Sequence, residues 1–216
     1  MNAVKPIDVK VNVKPVFVQL VHHTAYEGPC RTGRMEDLTP EADRRRGRER
    51  FNSFAQQVEQ NLSSEAQLMS PVYLERADDF VIREAMFKKL EPDIYEADLV
   101  LMAAGGLRQQ VATAIGRRYG KPVGMIGWVS SVDIAAGLRA QGLEGYAFLD
   151  FEDLNHFISL LRVRKAISKT KLLVALERDI VSVGVVSGIR DLEGLRRRYG
   201  VDHDCVPARR IIEEMD

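Results

Sequence analysis

The segment His22-His23-Thr24-Ala25-Tyr26-Glu27-Gly28-Pro29-Cys30-Arg31-Thr32-Gly33-Arg34 brings imidazoles, a carboxylate, a thiol and guanidiniums together. Such a set suits a polyhydroxylated or anionic ligand. Arg31 and Arg34 can donate in a planar fork to hydroxyls or carboxylates, and His22, His23 and Glu27 add donors and acceptors. Two sharper chemistries use the same residues. Cys30 with His22 or His23 could act as nucleophile and base. The His22-His23 pair could also ligate a metal, although adjacent residues on a strand point to opposite faces and do not easily reach one ion. A surface loop without a ligand is the plain alternative.

A second segment, Ala104-Gly105-Gly106-Leu107-Arg108, follows an apolar run. Gly105 and Gly106 would let a ligand approach the backbone, and a helix starting there offers free amides to an anion. A tight turn by itself would also require these glycines. Trp128 falls on the same rim, where it could stack on a sugar ring or pack under a neighbouring loop. Asp150 reads as a helix cap. The chain contains neither GxGxxG nor GxxxxGK[ST], so the dinucleotide and P-loop fingerprints are absent. The run Arg44-Arg45-Arg46 with Arg48 and Arg50 is interleaved with Glu41, Asp43 and Glu49, which reads as a solvated, salt-bridged helix face.

The elements that position these residues alternate along the chain. Apolar runs at Pro15 to Val21, Ala66 to Leu74, Asp98 to Ala104, Pro122 to Gly127 and Gly145 to Phe151 read as strands. Pro71 weakens the second or places it at an edge. Helical patterns follow each. The first is opened by Thr39 as N-cap and Pro40 at N1, with Phe51, Phe54, Ala55, Val58 and Leu62 on one face. The others run over Asp78 to Leu90, Leu107 to Tyr119, a Ser130-Ser131 cap to Gln141, and Glu152 to Ser168. This predicts an α/β fold: a doubly wound, parallel, five-stranded sheet of flavodoxin or Rossmann type, preferably in the order 2-1-3-4-5. The domain spans residues 1–170. Residues 171–216 read as the start of a second α/β unit, or a docking or oligomerisation tail, with strands over Lys171 to Leu176, Ser182 to Ile189 and Val201 to Val206.

In an open α/β sheet, ligands bind beyond the carboxyl ends of the strands, where the strand order reverses. The two unusual loops would then flank that point. The polar segment from His22 to Thr39 is far longer than the roughly 2–6 residues such a connection needs.

Composition narrows the classes. Lys and Arg number 31, against 31 Asp and Glu, so a nucleic-acid partner held by a global basic field is not expected. No apolar run approaches the roughly 18 residues of a membrane span. Cys30 and Cys205 form no zinc or disulfide framework, which points to a reducing cytoplasm.

Three features resemble a known family. Gly33-Arg34 follows the first strand and precedes a long helix. A five-unit α/β domain closes with a helix over Leu160 to Lys169. Thr170-Lys171-Leu172-Leu173-Val174, a further strand and Gly188-Ile189-Arg190-Asp191-Leu192-Glu193-Gly194-Leu195-Arg196-Arg197-Arg198-Tyr199-Gly200-Val201 then resemble a crossover into a second domain. Together these resemble the N-terminal region of the L-fucose isomerase and L-arabinose isomerase family, particularly its shorter, uncharacterised fucose-isomerase-like members. The resemblance implies aldose–ketose isomerisation by enediol proton transfer at a divalent metal, usually Mn2+. The metal ligands would lie in later domains, with no cofactor and no catalytic residue in this chain. It implies a homo-oligomer in which Arg34, or else Arg31, completes a neighbouring subunit's substrate site. Where the family has an aromatic contact after the third strand, this chain has Ala104-Gly105-Gly106. Apart from the resemblance, the residues also suit a stand-alone sugar or sugar-phosphate sensor using Arg31, Arg34, His22, His23, Glu27, Gly105, Gly106 and Trp128.

Overall fold

The computed structural model of the chain describes residues 8–23, 34–77, 81–104, 108–127, 129–174 and 192–214. These belong to two compact units, Val11–Ile158 and a second formed by Met1–Lys10 with Ser159–Asp216.

The first unit is built on β1 (Val11–Val21), buried along nearly its whole length. Its neighbours are β2 (Ala66–Leu68), β3 (Val72–Ala77) and β4 (Leu99–Ala103), followed outward by β5 (Val123–Ile126) and β6 (Gly145–Phe148). The result is a six-stranded sheet in the order β2-β1-β4-β5-β6, with β3 also on β1 and every registered pairing parallel. Val13 pairs with Leu68 on one side and Leu99 on the other, and Val16 with Val72 and Met102. β2 and β3 therefore lie end to end along the same edge of β1.

Two expectations are corrected here. The strand expected over Ala66 to Leu74 is two strands, so six strands replace the five expected. Met69-Ser70-Pro71 interrupts the ladder because Pro71 has no amide to donate. β1 also begins at Val11 rather than Pro15, since Val11 and Val13 pair with Ala66 and Leu68. Val11 donates to Glu65 O and Val13 accepts from Met69 on the β2 side. By strand alternation Pro15 faces that side too, so its missing N–H falls opposite the interruption. Lys14, only 2% exposed, closes the break by donating from Nζ to Ser70 O at 2.7 Å while pairing with Asp93 Oδ1 at 2.6 Å. Its stem stays buried and its charge is compensated.

Helices cover both faces. On one, Val16, Val18, Val100, Met102, Val123 and Met125 pack with residues of α2 (Glu84–Lys88), α3 (Gln109–Tyr119) and α4 (Ser130–Arg139). On the other, Phe17 meets Phe51 and Phe54 of α1 (Pro40–Asn61) at 6.2 and 6.0 Å between ring centroids. Phe148 meets Phe157 of α5 (Phe151–Ser168) at 5.4 Å. This arrangement is compatible with a Rossmann-like fold.

The helix ends follow local chemistry. Thr39 Oγ1 accepts from Ala42 N–H at 3.2 Å, with Pro40 at the start of α1. Gly120 ends α3 at φ 61°, and Asp150 Oδ1 accepts from Glu152 and Asp153 N–H. Ser130 and Ser131 do not cap α4: Ser131 Oγ is buried and donates to Gly127 O at 3.3 Å instead. The helix expected over Asp78 to Leu90 is short. Arg83 has extended backbone and no side-chain cap, so α2 starts only where Met86 and Phe87 turn into the core. Asp78 to Phe80 lie outside the described residues.

The second unit contains the later part of α5, β7 (Lys171–Val174), α6 (Leu192–Tyr199), β8 (Asp202–Cys205) and α7 (Ala208–Glu213). β7 and β8 pair in parallel, and Lys171 Nζ lies 2.6 Å from Asp204 Oδ2. Arg162 Nε and Lys165 Nζ donate to the carbonyls of Val9 and Lys10. The strand expected over Ser182 to Ile189 lies outside the described residues. No helix among the described residues is long and apolar enough to cross a membrane.

A close helix–strand approach in the first unit is at Gly145, where an added Cβ would lie 2.7 Å from the Ala135 carbonyl oxygen and 2.5 Å from Leu138 Cβ. A backbone atom cannot step aside. Gly145→Ala is therefore expected to cost about 1–3 kcal/mol, read as a lower urea midpoint. An unchanged midpoint would show that α4 and β6 are not held this close.

Candidate functional site

β1 outruns its neighbour on the β4 side. It is registered against β4 only over Val13–Val16, and β4 ends at Ala103 while β1 continues to Val21. Asn12 O accepts from Asp98 N–H on that side, so the carbonyls of Val18 and Leu20 point the same way without a strand partner. Side chains take over. Arg108 Nε donates to Val18 O at 3.0 Å, and Gln19 Nε2 to Leu20 O at 2.7 Å. Arg108 Nη1 also donates to Ala103 O at 2.6 Å and to Ala104 O. Its guanidinium lies over the Phe17 ring, 4.7 Å from the centroid. Burial, and then the charge of Arg50, push the Arg108 pKa down to about 10. The position where the strand order reverses is thus clasped by a desolvated cation.

On the same rim, the carboxyl ends of β1 and β3 border an open cavity of about 260 Å3, lined by Val21, His23, Arg44, Glu75, Arg76, Ala77 and Arg83. Arg44 Nε lies 3.3 Å from Glu75 Oε2, and an Arg44 Nη1 contact to Glu41 is looser at 3.7 Å. Arg76 is 2% exposed and donates to Gln110 Oε1 of α3. Gly47 brings Arg44 here by letting α1 lie close on β1: a Cβ there would meet Gln19 Cγ at 2.5 Å and Tyr73 Oη at 2.6 Å. Tyr73 stacks on Phe17, with centroids 6.2 Å apart and planes 10° apart. Its hydroxyl is buried without a hydrogen-bond partner, and burial followed by Glu75 raises its pKa.

His22 turns away from the cavity toward α1. Asp43 Oδ2 accepts from the His22 backbone N–H at 3.0 Å and lies 2.9 Å from Nδ1. Asp43 Oδ1 pairs with Arg46 Nη2 at 3.1 Å, and Arg46 also donates to Asp37 O. His23 is exposed at the cavity, so the adjacent imidazoles have different surroundings. Among the described residues, no group of three or more His, Cys, Asp or Glu side chains is placed to hold a metal ion.

Of the described residues expected to bind substrate, His23 alone lines the cavity, and His22 is engaged by Asp43. Arg34 is 85% exposed and lies 3.6 Å from an exposed Glu36. Glu27, Cys30, Arg31, Gly105, Gly106 and Trp128 lie outside the described residues. Arg44, Glu75, Arg76, Arg83 and the clasping role of Arg108 were not anticipated. Arg44 was hidden in a charge run that reads as solvated. A usable signal was Glu75-Arg76, a charged pair ending an apolar stretch where the sheet's carboxyl edge had to fall.

Comparison of the chain with models of protein families, with curated proteins and with solved structures gives no match.

Two outcomes are expected. Tyr73→Phe removes a buried, unpartnered hydroxyl and should leave stability unchanged or raise it by up to about 1 kcal/mol. A loss larger than that in urea unfolding would show that the hydroxyl has a partner. Asp43→Ala removes the acceptor for the His22 N–H and a partner of Arg46. It should lower stability by about 1–3 kcal/mol. Identical melting curves for variant and parent would show that this network does not anchor the start of the loop.

Proposed function

We propose that the chain is a small-molecule-binding α/β module whose ligand is a sugar or sugar phosphate, held at the carboxyl rim of the sheet. The observation that carries this reading is the guanidinium-lined cavity at the ends of β1 and β3. Guanidiniums donate in a fixed fork to hydroxyl, carboxylate and phosphate oxygens. Counting β2 and β3 as one interrupted edge strand, the order becomes the flavodoxin-like 2-1-3-4-5, with the Arg108 clasp at the strand-order reversal where such folds take ligands and the cavity one strand over, on the same carboxyl rim. With Cys30 and Cys205 as its only cysteines, the module suits a reducing cytoplasm.

A second reading is favoured by Arg34. Its 85% exposure after the first strand suits a residue that completes a neighbouring subunit's site in a homo-oligomeric, fucose-isomerase-like protein. The described residues do not fit the Mn2+ ion of that chemistry, because they offer no convergent donor set. No step is routed through it.

A thermal-shift screen of the purified chain against pentoses, hexoses and their phosphates tests the first reading. A ligand that binds only the native state must raise the melting temperature, by about 2.7 kcal/mol of stability at a hundredfold excess over Kd. Stabilisation by at least one compound is expected, and a flat response across both classes would sink the proposal. Manganese-dependent aldose–ketose turnover by the same preparation would replace it with an enzyme.

A further inference from the structure

Resting on the reading of the rim as a sugar-class site, we infer that Arg108, at the reversal of strand order, anchors an oxyanion carried by the sugar, a phosphate ester or a carboxylate. Three observations converge on it. The first is a charge without a counter-charge. The Arg108 guanidinium is bonded to the carbonyls of Val18, Ala103 and Ala104, and among the described residues no carboxylate pairs with it. Burial and Arg50 both act against its charge, and no acidic group acts in its favour. The first turn of α3 contains no acidic residue to do so. Lys14 shows the contrast: it is equally taken into the sheet, and Asp93 Oδ1 lies 2.6 Å from its Nζ. A desolvated cation ordinarily has such a partner, because carbonyl dipoles offset only part of the cost of leaving water.

The second observation is a donor left over. Nε is given to Val18 O, and Nη1 is divided between Ala103 O and Ala104 O. Nη2 has no acceptor among the described residues, and unlike the Tyr73 hydroxyl it is not sealed from solvent. One anionic oxygen can therefore meet Nη2 while the clasp stays intact. The third is place. Arg108 bridges the ends of β1 and β4, where the strand order reverses and such sheets take their ligands. Arg50, exposed on α1, adds a second positive charge to the approach. A sugar hydroxyl could accept from Nη2, but it would leave the charge uncompensated. An oxyanion does both. The cavity one strand over on the same rim is then left for the hydroxylated body of the ligand.

Calorimetric titration of the full chain with glucose 6-phosphate, glucuronate and glucose, followed in parallel by the Arg108 Nε–Hε resonance, tests this. That N–H is held by Val18 O, which makes it the probe nearest the proposed contact. At least one of the two anions should bind roughly tenfold tighter than glucose or better, a hydrogen bond between charged groups being worth that much. The same anion should shift the Nε–Hε resonance as the site fills. Which anion does so separates a phosphate ester from a sugar acid. Arg108 itself is kept, because its removal would also undo the clasp. Arg50→Gln, an exposed change outside the clasp, should weaken the favoured anion by roughly two- to fivefold and leave glucose unchanged.

Glucose binding as tightly as both anions would overturn the anchor while leaving a sugar site in place. So would an anion that binds tightly with the Nε–Hε resonance unmoved. Unchanged anion affinity in Arg50→Gln would remove the part given to Arg50. If none of the sugars or sugar anions bound, the rim reading itself would fall, and this inference with it.

Discussion

Backbone carbonyls at the overhanging end of β1 have to be satisfied without a strand beside them, and the rest of the rim is organised around that requirement. A buried carbonyl left without a donor costs about 1–3 kcal/mol. Arg108 answers for Val18, Ala103 and Ala104 together, and Gln19 for Leu20. Using one guanidinium for three acceptors fixes the ends of β1 and β4 relative to each other. It also imposes a desolvated charge, which Phe17 offsets through its ring face while Arg50 opposes it. The place where a ligand would be sought in such a sheet is thus partly filled by the protein's own cation. The open volume lies one strand over, at β3.

The middle of β1 shows the same logic. Where β2 gives way to β3, Ser70 loses its ladder neighbour, and Lys14 supplies the donor, with Asp93 compensating its charge. Pro15 is tolerated in a central strand because its missing amide faces the same interruption. A buried lysine and a proline in mid-strand would each argue against a strand if taken alone. Together they are explained by one break in the neighbouring edge.

Much of the architecture was legible because it depends on local rules. Thr39-Pro40 marked the start of α1, Gly120 the end of α3 and Asp150 the cap of α5, each from its own backbone preferences. The alternation of apolar runs with helical patterns announced a parallel sheet covered on both faces. Errors fell where tertiary context overrode local preference. Ala66 to Leu74 was read as one strand, because a pattern shows apolar runs and not which edge can tolerate Pro71. The helix before Leu90 was overextended, because Phe80 and Val81 fit its period while the core accepts Met86 and Phe87.

The candidate site divides in the same way. His23 was visible from type and position, as was the unusual composition of the segment after β1. The amino-acid sequence by itself determined the elements, their parallel arrangement and the edge along which ligand-facing loops must lie, since these follow from periodicity, capping and turn chemistry. Only the tertiary structure decided which charges meet. Arg44, Glu75 and Arg83 come from three separate segments, and they share one cavity because Gly47 seats α1 on β1 and β3 outlasts β2 along the edge. Charge in a sequence has no address until packing removes water from some side chains and leaves it on others. For that reason Arg44 and Arg45, neighbours in one basic run, end with one lining the cavity and the other exposed.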